Sequence, residues 1–513
     1  MKKSKVVLGG VLGGCAALAL APTAHAGGLF VPGTGPQAGG RAGAFVAKAD
    51  DPSALYHNPA GFARQNGWVI QIGANFVDYD ITFTRAGNYE TPPFDGDPYQ
   101  PISDQSKPEL GIGPFQAVPI IAVSGDIGVK NLRIGFGLVA PQAYPTRDFA
   151  PDYEFEDPNT PPPPQRYDSM YQNAATALPS VAVAYRVLEN LDVGVRGTWG
   201  FGQVQASTYV WGIRNYEEDV SNDGLFSIDV KDNFVPGFGL GVQYRPSASL
   251  EIGAAYSSKL TVDAKGSGSS QIGSSLGLPG MPEFVVPPDD QFAQCAPGGV
   301  DQNNLKACLT LHLPQTATIG ARWILRDGER EKGDVELDVR WEDWSAASDV
   351  RVMVDGQSGL TGLPLNEAFI RHGFQDSFSV RLGGAYEVMS PLTLRGGVAY
   401  DTAAAPESWS RVDIDGAARA TFTVGGSYTV GKIRVDVGGG YVLQPTRTVA
   451  ECNPSVGNEG CPPGSGQDPV AERDQPDPNQ PLTGPNNSVE SPFNGGTYES
   501  HYLLFSLGLT YFL

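Results

Sequence analysis

Few residues of this chain could do covalent chemistry, and their spacing does not assemble them for it. Five histidines occur in 513 residues, and no His-Glu-x-x-His run sets two of them on one helix face for zinc. Gly273-Ser274-Ser275-Leu276-Gly277 has the Gly-x-Ser-x-Gly form of a nucleophile elbow. It lies in a Gly/Ser/Pro-rich stretch, however, and not between a strand and a helix. Cys15 aside, the cysteines fall into two close pairs, Cys295 with Cys308 and Cys452 with Cys461. No Cys-x-x-Cys occurs, and the one nearby histidine, His312, sits in a predicted strand. Two local disulfides in exported loops are the simpler reading, with free thiols the alternative, and zinc is not expected. The chain therefore reads as no enzyme, with no cofactor and no metal. The remaining chemistry is charge at period two. Glu336, Asp338, Arg340 and Glu342 alternate with Val335, Leu337, Val339 and Trp341.

Such a row needs a strand with one face in an apolar medium and the other where charges can pair or be hydrated. Other segments have the same form. Ile433, Val435, Val437 and Tyr441 oppose Arg434 and Asp436, and Val193, Val195 and Trp199 oppose Asp192, Arg196 and Thr198. The last strand shows it most clearly: Leu503, Phe505, Leu507, Leu509, Tyr511 and Leu513 share one face up to the terminal residue. A soluble chain seldom ends on a bare apolar strand, because its edge invites aggregation. A closed outer-membrane barrel needs one to seal against the first strand. That terminal strand is also the expected point of engagement with the barrel-assembly machinery.

The amino terminus fits export. Lys2, Lys3 and Lys5 precede an apolar run from Val6 to Ala21 and an Ala24-His25-Ala26 cleavage site, which makes 1–26 a signal peptide. Leu12-Gly13-Gly14-Cys15 offers a lipoprotein site as the alternative, but cutting there would leave the Ala-rich second half of the run unused. Beyond it no run of about 20 apolar residues could form a spanning helix. The formal charge is −21, and loss of the three signal lysines makes it more negative, which argues against a nucleic-acid partner.

Strands are predicted at 68–84, 115–126, 131–145, 176–188, 191–210, 231–245, 249–264, 309–326, 333–354, 376–388, 391–404, 418–430, 433–445 and 499–513. Their connections alternate long and short, the loop pattern of a membrane barrel. The fold class expected is all-β: a 14-stranded antiparallel transmembrane β-barrel over 68–513. Residues 27–67 break the pattern. They are rich in Gly and Ala, with a short helix expected from Ala42 to Ala49, and form either a disordered tail or a plug folded into the barrel. Gly-x-Gly pairs such as Gly135/Gly137 and Gly237/Gly239/Gly241 keep strand period and read as small wall positions. Leu276 to Met281 and Phe284 to Val286 place apolar residues in an outer loop. They form either a landing site for a greasy ligand or a small loop core stapled by Cys295–Cys308.

Gly39-Gly40-Arg41-Ala42, Ala49-Asp50-Asp51 and Asn58-Pro59-Ala60-Gly61 resemble the plug of the FadL/TodX family of outer-membrane transporters for hydrophobic compounds. Similarity extends over Pro119 to Pro141, Asn233 to Gly266, Leu311 to Ser345 and Ser377 to Tyr441. The resemblance implies a hatch over 27–67 carrying Arg41, Asp50, Asp51, Asn58, Pro59 and Ala60. It implies passive uptake of long-chain fatty acids, or alternatively of aromatic hydrocarbons, by a monomer seated among outer-membrane lipid and lipopolysaccharide. Arg371 takes the family's carboxylate-facing basic position, followed by His372, in a segment one residue shorter than the family's. Leu29 and Phe30 would reach the same ligand pocket as the hatch's leading end. Pro141, in the third strand, would mark a lateral opening in the wall; as plain sequence it could equally end the strand at the outer rim. A general porin and an adhesive barrel acting through its acidic loops are the competing functions.

Overall fold

The computed structural model describes residues 33–89, 92–140, 146–211, 218–275, 284–285, 295, 305–355, 357–358, 368–449 and 495–513. Residues 1–26, expected as a signal peptide, and Leu29, Phe30, Pro141, the apolar run from Leu276 to Met281, Cys452 and Cys461 lie outside the described residues.

Fourteen antiparallel strands close on themselves. They are β1 (Val69–Arg85), β2 (Phe115–Asp126), β3 (Leu132–Val139), β4 (Tyr171–Leu188), β5 (Leu191–Val210) and β6 (Gly224–Ser247). Then come β7 (Leu250–Ser257 with Leu260–Ile272), β8 (Leu305–Leu313 with Thr316–Asp327), β9 (Arg330–Glu342 with Asp349–Asp355) and β10 (Ala368–Arg371 with Ser377–Met389). The circle is completed by β11 (Leu392–Asp401), β12 (Arg419–Val430), β13 (Ile433–Leu443) and β14 (Gly496–Phe512). The terminal strand seals the wall: β14 pairs with β1 from Val69↔Phe512 to Arg85↔Gly496. Closure leaves no edge, the condition for strands in lipid.

The two faces of each strand are inverted relative to a soluble sheet. Val335, Leu337 and Val339 are exposed, whereas Asp334, Glu336 and Asp338 are buried. Phe505, Leu507 and Leu509 are likewise exposed around buried Ser506 and Thr510. Tight turns join the strands at one end, with Gly328 and Gly431 in the left-handed region (φ 63° and 57°) that favours glycine. By the loop rule for bacterial barrels this end faces the periplasm and the long loops face outward. No helix among the described residues is long and apolar enough to cross a membrane.

Several strands run further than hydropathy predicts. β4 begins at Tyr171 and not 176, β6 at Gly224 and not 231, and the second part of β7 continues to Ile272. These extensions rise past the apolar band, where the outer face carries exposed Lys231, Asp263 and Lys265 and the apolar/polar alternation fades. β7 to β10 are each interrupted at 258–259, 314–315, 343–348 and 372–376. At that height the lumen is filled by an apolar cluster that includes Val235, Val262, Leu311, Trp344, Phe374 and Ile414. A disulfide joins Cys295, which precedes β8, to Cys308 within β8.

Residues 33–65 fold back into the barrel as a compact plug. It has two one-turn helices, α1 (Pro36–Gly39) and α2 (Ala54–His57), and a 3₁₀ turn at Pro59–Arg64. Residues 42–49 form turns, not the expected helix. The cause is competition for backbone donors, because the N–H groups of 45 to 48 bond to wall carboxylates instead of helical carbonyls. The wall gives the plug room through glycines. A Cβ on Gly508 would collide with Pro36, on Gly397 or Gly383 with Arg41, on Gly253 with Val46, and on Gly194 with Pro59 and Ala60. The Gly-x-Gly pairs of the sequence are therefore close-approach positions as well as small wall positions.

Candidate functional site

The plug is held mainly by the acidic row of β9. Arg41, fully buried, places Nη2 2.6 Å from Asp334 Oδ1 and 3.1 Å from Glu336 Oε2. Its Nε donates to the Ala44 carbonyl at 2.9 Å. Asp338 Oδ2 accepts from the N–H groups of Phe45 (2.8 Å) and Val46 (3.1 Å). Glu336 Oε1 accepts from those of Ala47 (2.7 Å) and Lys48 (3.3 Å). Successive N–H groups converging on one anion form a nest, and here the anions belong to the wall. Period two in β9 and a turn in residues 42–49 are both needed, since only then do acids two residues apart meet four consecutive donors.

The paired aspartates serve different ends of the plug. Burial alone would raise the Asp50 carboxyl, but Lys48, whose Nζ is 2.7 Å away, and Arg322 hold it well below the usual carboxylate range. Asp51 accepts from Gln37 Nε2 at 2.6 Å, Ser53 N–H at 2.9 Å and Gln71 Nε2 at 3.1 Å, with Arg434 Nη2 at 3.3 Å. Asn58 caps the 3₁₀ turn that Pro59 begins, with Oδ1 accepting from Ala60 N–H at 3.1 Å. Its Nδ2 donates to the plug's own Val46 carbonyl (2.8 Å) and to the Val242 carbonyl of β6 (3.1 Å). One side chain thus ties turn, plug and wall, and a Cβ on the facing Gly241 would collide with it.

On the outer side of the plug lies a cavity of about 70 Å³. Val46, Val139, Leu178, Leu260 and Leu313 supply the apolar part of a mixed lining. Arg196 from β5, Arg340 from β9 and Arg381 from β10 also line it, with Asp338 and His57. Arg196 is spent on the plug, donating to the carbonyls of Leu55 (2.9 Å) and Tyr56 (3.3 Å) and to Ser257 Oγ (3.1 Å). Arg340 Nε lies 2.8 Å from Glu342 Oε1. Arg381 has its nearest carboxylate, Asp401, at 3.7 Å, and its buried Nε has no hydrogen-bond partner among the described residues. Burial lowers the His57 imidazole to about 4, and its Nε2 donates to the Thr34 carbonyl at 2.7 Å. The lining thus carries three guanidinium groups against one carboxylate, and that carboxylate's Oδ2 is already occupied by plug N–H groups.

Arg371 and His372 lie outside this cavity, further toward the outer end of β10. His372 is buried with Nε2 2.9 Å from Asp413 Oδ2. Arg411, which donates to Asp168, has Nε 3.2 Å from Asp413 Oδ1. Burial alone would raise the Asp413 carboxyl, but Arg411 and His372 hold it low. Arg381, Arg340 and His57 were not picked out by sequence as a group. The available signal was inward parity in β9 and β10, which gives charge positions but not which of them meet.

A family model described as outer membrane protein transport protein (OMPP1/FadL/TodX) matches residues 17–465. The chain belongs to that family. A 47 kDa outer membrane protein of Pasteurella multocida (strain Pm70) is 25% identical over 218 residues, 42% of this chain and 45% of that protein. The chain thus spans under half the length of that curated relative. A Pseudomonas aeruginosa FadL homologue superposes with a TM-score of 0.67 at 18% identity, covering 94% of this chain and 99% of that one. The Ralstonia pickettii toluene transporter TbuX gives 0.57 at 16%, with 94% and 99% covered. At such identities these structures establish the fold, that of an outer-membrane barrel.

In this FadL/TodX-family barrel the described part of β3 ends at Val139, and residues 141–145 lie outside the described residues. β3 pairs with β2 only as far as Ile120↔Val139 and with β4 as far as Leu178↔Val139. Pairing with β4 returns at Arg147↔Gln172. Pro141 lies outside the described residues, and the cavity reaches the end of described β3 through Val139 and Leu178.

Proposed function

We propose that the chain is a passive outer-membrane channel for long-chain fatty acids. Ligand descends from the outer loops through the apolar cluster around Trp344 and Phe374, passing Arg371 and His372. It then rests in the cavity over the plug, its alkyl chain along Val139, Leu178, Leu260 and Leu313 and its carboxylate at Arg381. It leaves sideways through the wall beside Pro141, the lateral opening that the family resemblance implies, into the membrane and without crossing the polar lipopolysaccharide layer. The plug keeps the pore shut to polar solutes, which a general porin would conduct. The single observation that carries the substrate class is Arg381: a buried guanidinium whose nearest carboxylate is 3.7 Å away and whose Nε has no hydrogen-bond partner among the described residues, beside the apolar side chains of Val139, Leu178, Leu260 and Leu313. A neutral hydrocarbon would leave that donor unsatisfied, whereas a carboxylate satisfies it.

The test is binding of labelled oleate and of toluene to purified barrel carrying Arg381→Gln or Arg371→Gln. A charge-assisted hydrogen bond contributes about 1.5–3 kcal/mol, so Arg381→Gln should weaken oleate about 10- to 150-fold and leave toluene unchanged. Arg371→Gln, outside the cavity, should leave both affinities unchanged. Equal oleate affinity in Arg381→Gln and wild type would remove the carboxylate role. Uptake of toluene alone would move the substrate to aromatic hydrocarbons.

A further inference from the structure

The described ladder is interrupted between β6 and β7. Pairing between β6 and β7 rises from Ser247↔Leu250 to Gly239↔Ser257 and returns only at Lys231↔Lys265. Three hydrogen bonds are described across the seam: Ser258 N–H to the Phe238 carbonyl (2.9 Å), Phe238 N–H to Ser258 Oγ (2.9 Å) and Asp263 N–H to Asp232 Oδ2 (2.8 Å). The cavity over the plug reaches this seam, because Gly237, Phe238, Ser258 and Leu260 line it. Phe238 is nevertheless 50% exposed on the outer surface. Gly237 has no side chain to fill the wall, and Leu260 packs where its Cβ would stand.

A second observation comes from outside. An apolar groove runs down the lipid-facing surface below the seam, lined by Leu240, Ala254, Ala317 and Trp341. Ala255 and Thr318 line both this groove and the inner cavity. The wall there is one strand thick and built of small side chains. Lys259 and Asp263, both exposed, mark the water-facing rim above, so the seam meets the top of the apolar band.

We propose that this seam is a second side exit, through which an apolar chain passes from the cavity between Gly237–Phe238 and Ser258–Leu260 into the outer groove. Opening it requires breaking the two Phe238–Ser258 hydrogen bonds and turning Leu260, not unzipping a ladder. The proposal rests on the reading of the cavity as the ligand chamber.

The test locks each exit in the full-length protein, in cells, with labelled oleate. Phe238→Cys with Ser258→Cys spans the seam, since directly opposed residues of antiparallel strands sit about 4.5–5.5 Å apart, within disulfide reach. Pro119→Cys with Ala140→Cys crosslinks β2 to β3 beside the proposed exit at Pro141, where Ala140 N–H meets the Pro119 carbonyl at 3.4 Å. Wild type with and without reductant controls for the native disulfide, and heat-modifiable gel mobility confirms a folded barrel. Either lock alone should lower uptake part-way, reversed by reductant, and both together should abolish it. Leu260→Trp, which fills the seam without cysteines, should reproduce the seam lock. Wild-type uptake in the oxidised Phe238/Ser258 pair and in Leu260→Trp, with loss in the Pro119/Ala140 pair, would overturn the second exit and leave the proposed function intact. Wild-type protein that takes up no more than cells lacking it would instead fail the proposed function, and the second exit with it.

Discussion

Replacing Arg41 with methionine should unseat the plug while the barrel stays folded. Methionine keeps an unbranched apolar stem but removes the charge that Asp334 and Glu336 share at 2.6 and 3.1 Å. Breaking one partner of a buried ion pair costs about 3–5 kcal/mol. Two features set the cost at the lower end. Glu336 keeps the Ala47 and Lys48 N–H groups, and Asp334 keeps Arg322 at 3.1 Å and Lys48 at 3.7 Å. A loss of about 3 kcal/mol multiplies the open-to-closed ratio of the plug by about 150. The barrel itself is held by its ladder, none of which Arg41 enters. Single-channel recording in planar bilayers reads the ratio directly: Arg41→Met should show frequent long openings, and Arg41→Lys, which keeps the charge, fewer. A closed record indistinguishable from wild type, in protein that still runs as a folded barrel, would refute the claim that the β9 acids hold the plug through Arg41.

Two further outcomes are expected. Gly241→Val should give a folded barrel with raised ion conductance, because a side chain there meets Asn58 and Pro59; conductance equal to wild type would mean the plug has another seat. His57 is held neutral by burial, its imidazole lowered from 6.5 to about 4. A released plug would bind a proton that the seated plug refuses, so seating is strongest above pH 6.5 and is lost as pH falls toward about 4. Openings should rise across that window and the rise should vanish in His57→Gln; a pH-independent record in wild type would count against it.

Period-two hydropathy determined the strand count, the lipid-facing side of each strand and the sealing role of the carboxyl terminus, because those depend on residues two apart in one chain segment. It also showed acids and arginines pointing inward. It did not show what they meet there. Asp334, Glu336 and Asp338 are ordinary lumen charges by pattern, and become a clamp only when residues 41–48, nearly 300 positions earlier, turn their N–H groups toward them. The same long-range capture made turns of a stretch whose alanines favour helix. Arg196, Arg340 and Arg381 come from three strands, and their partners come from the plug (the Leu55 and Tyr56 carbonyls), from the same strand (Glu342) and from the neighbouring strand (Asp401). The interruption of the ladder between β6 and β7 likewise depends on the register of neighbouring strands. Local periodicity sets the faces of a wall, because each face is written in alternate residues of a single strand. Only packing across the enclosed lumen sets which groups are paired and where the wall is thin, because those contacts join residues far apart in the chain.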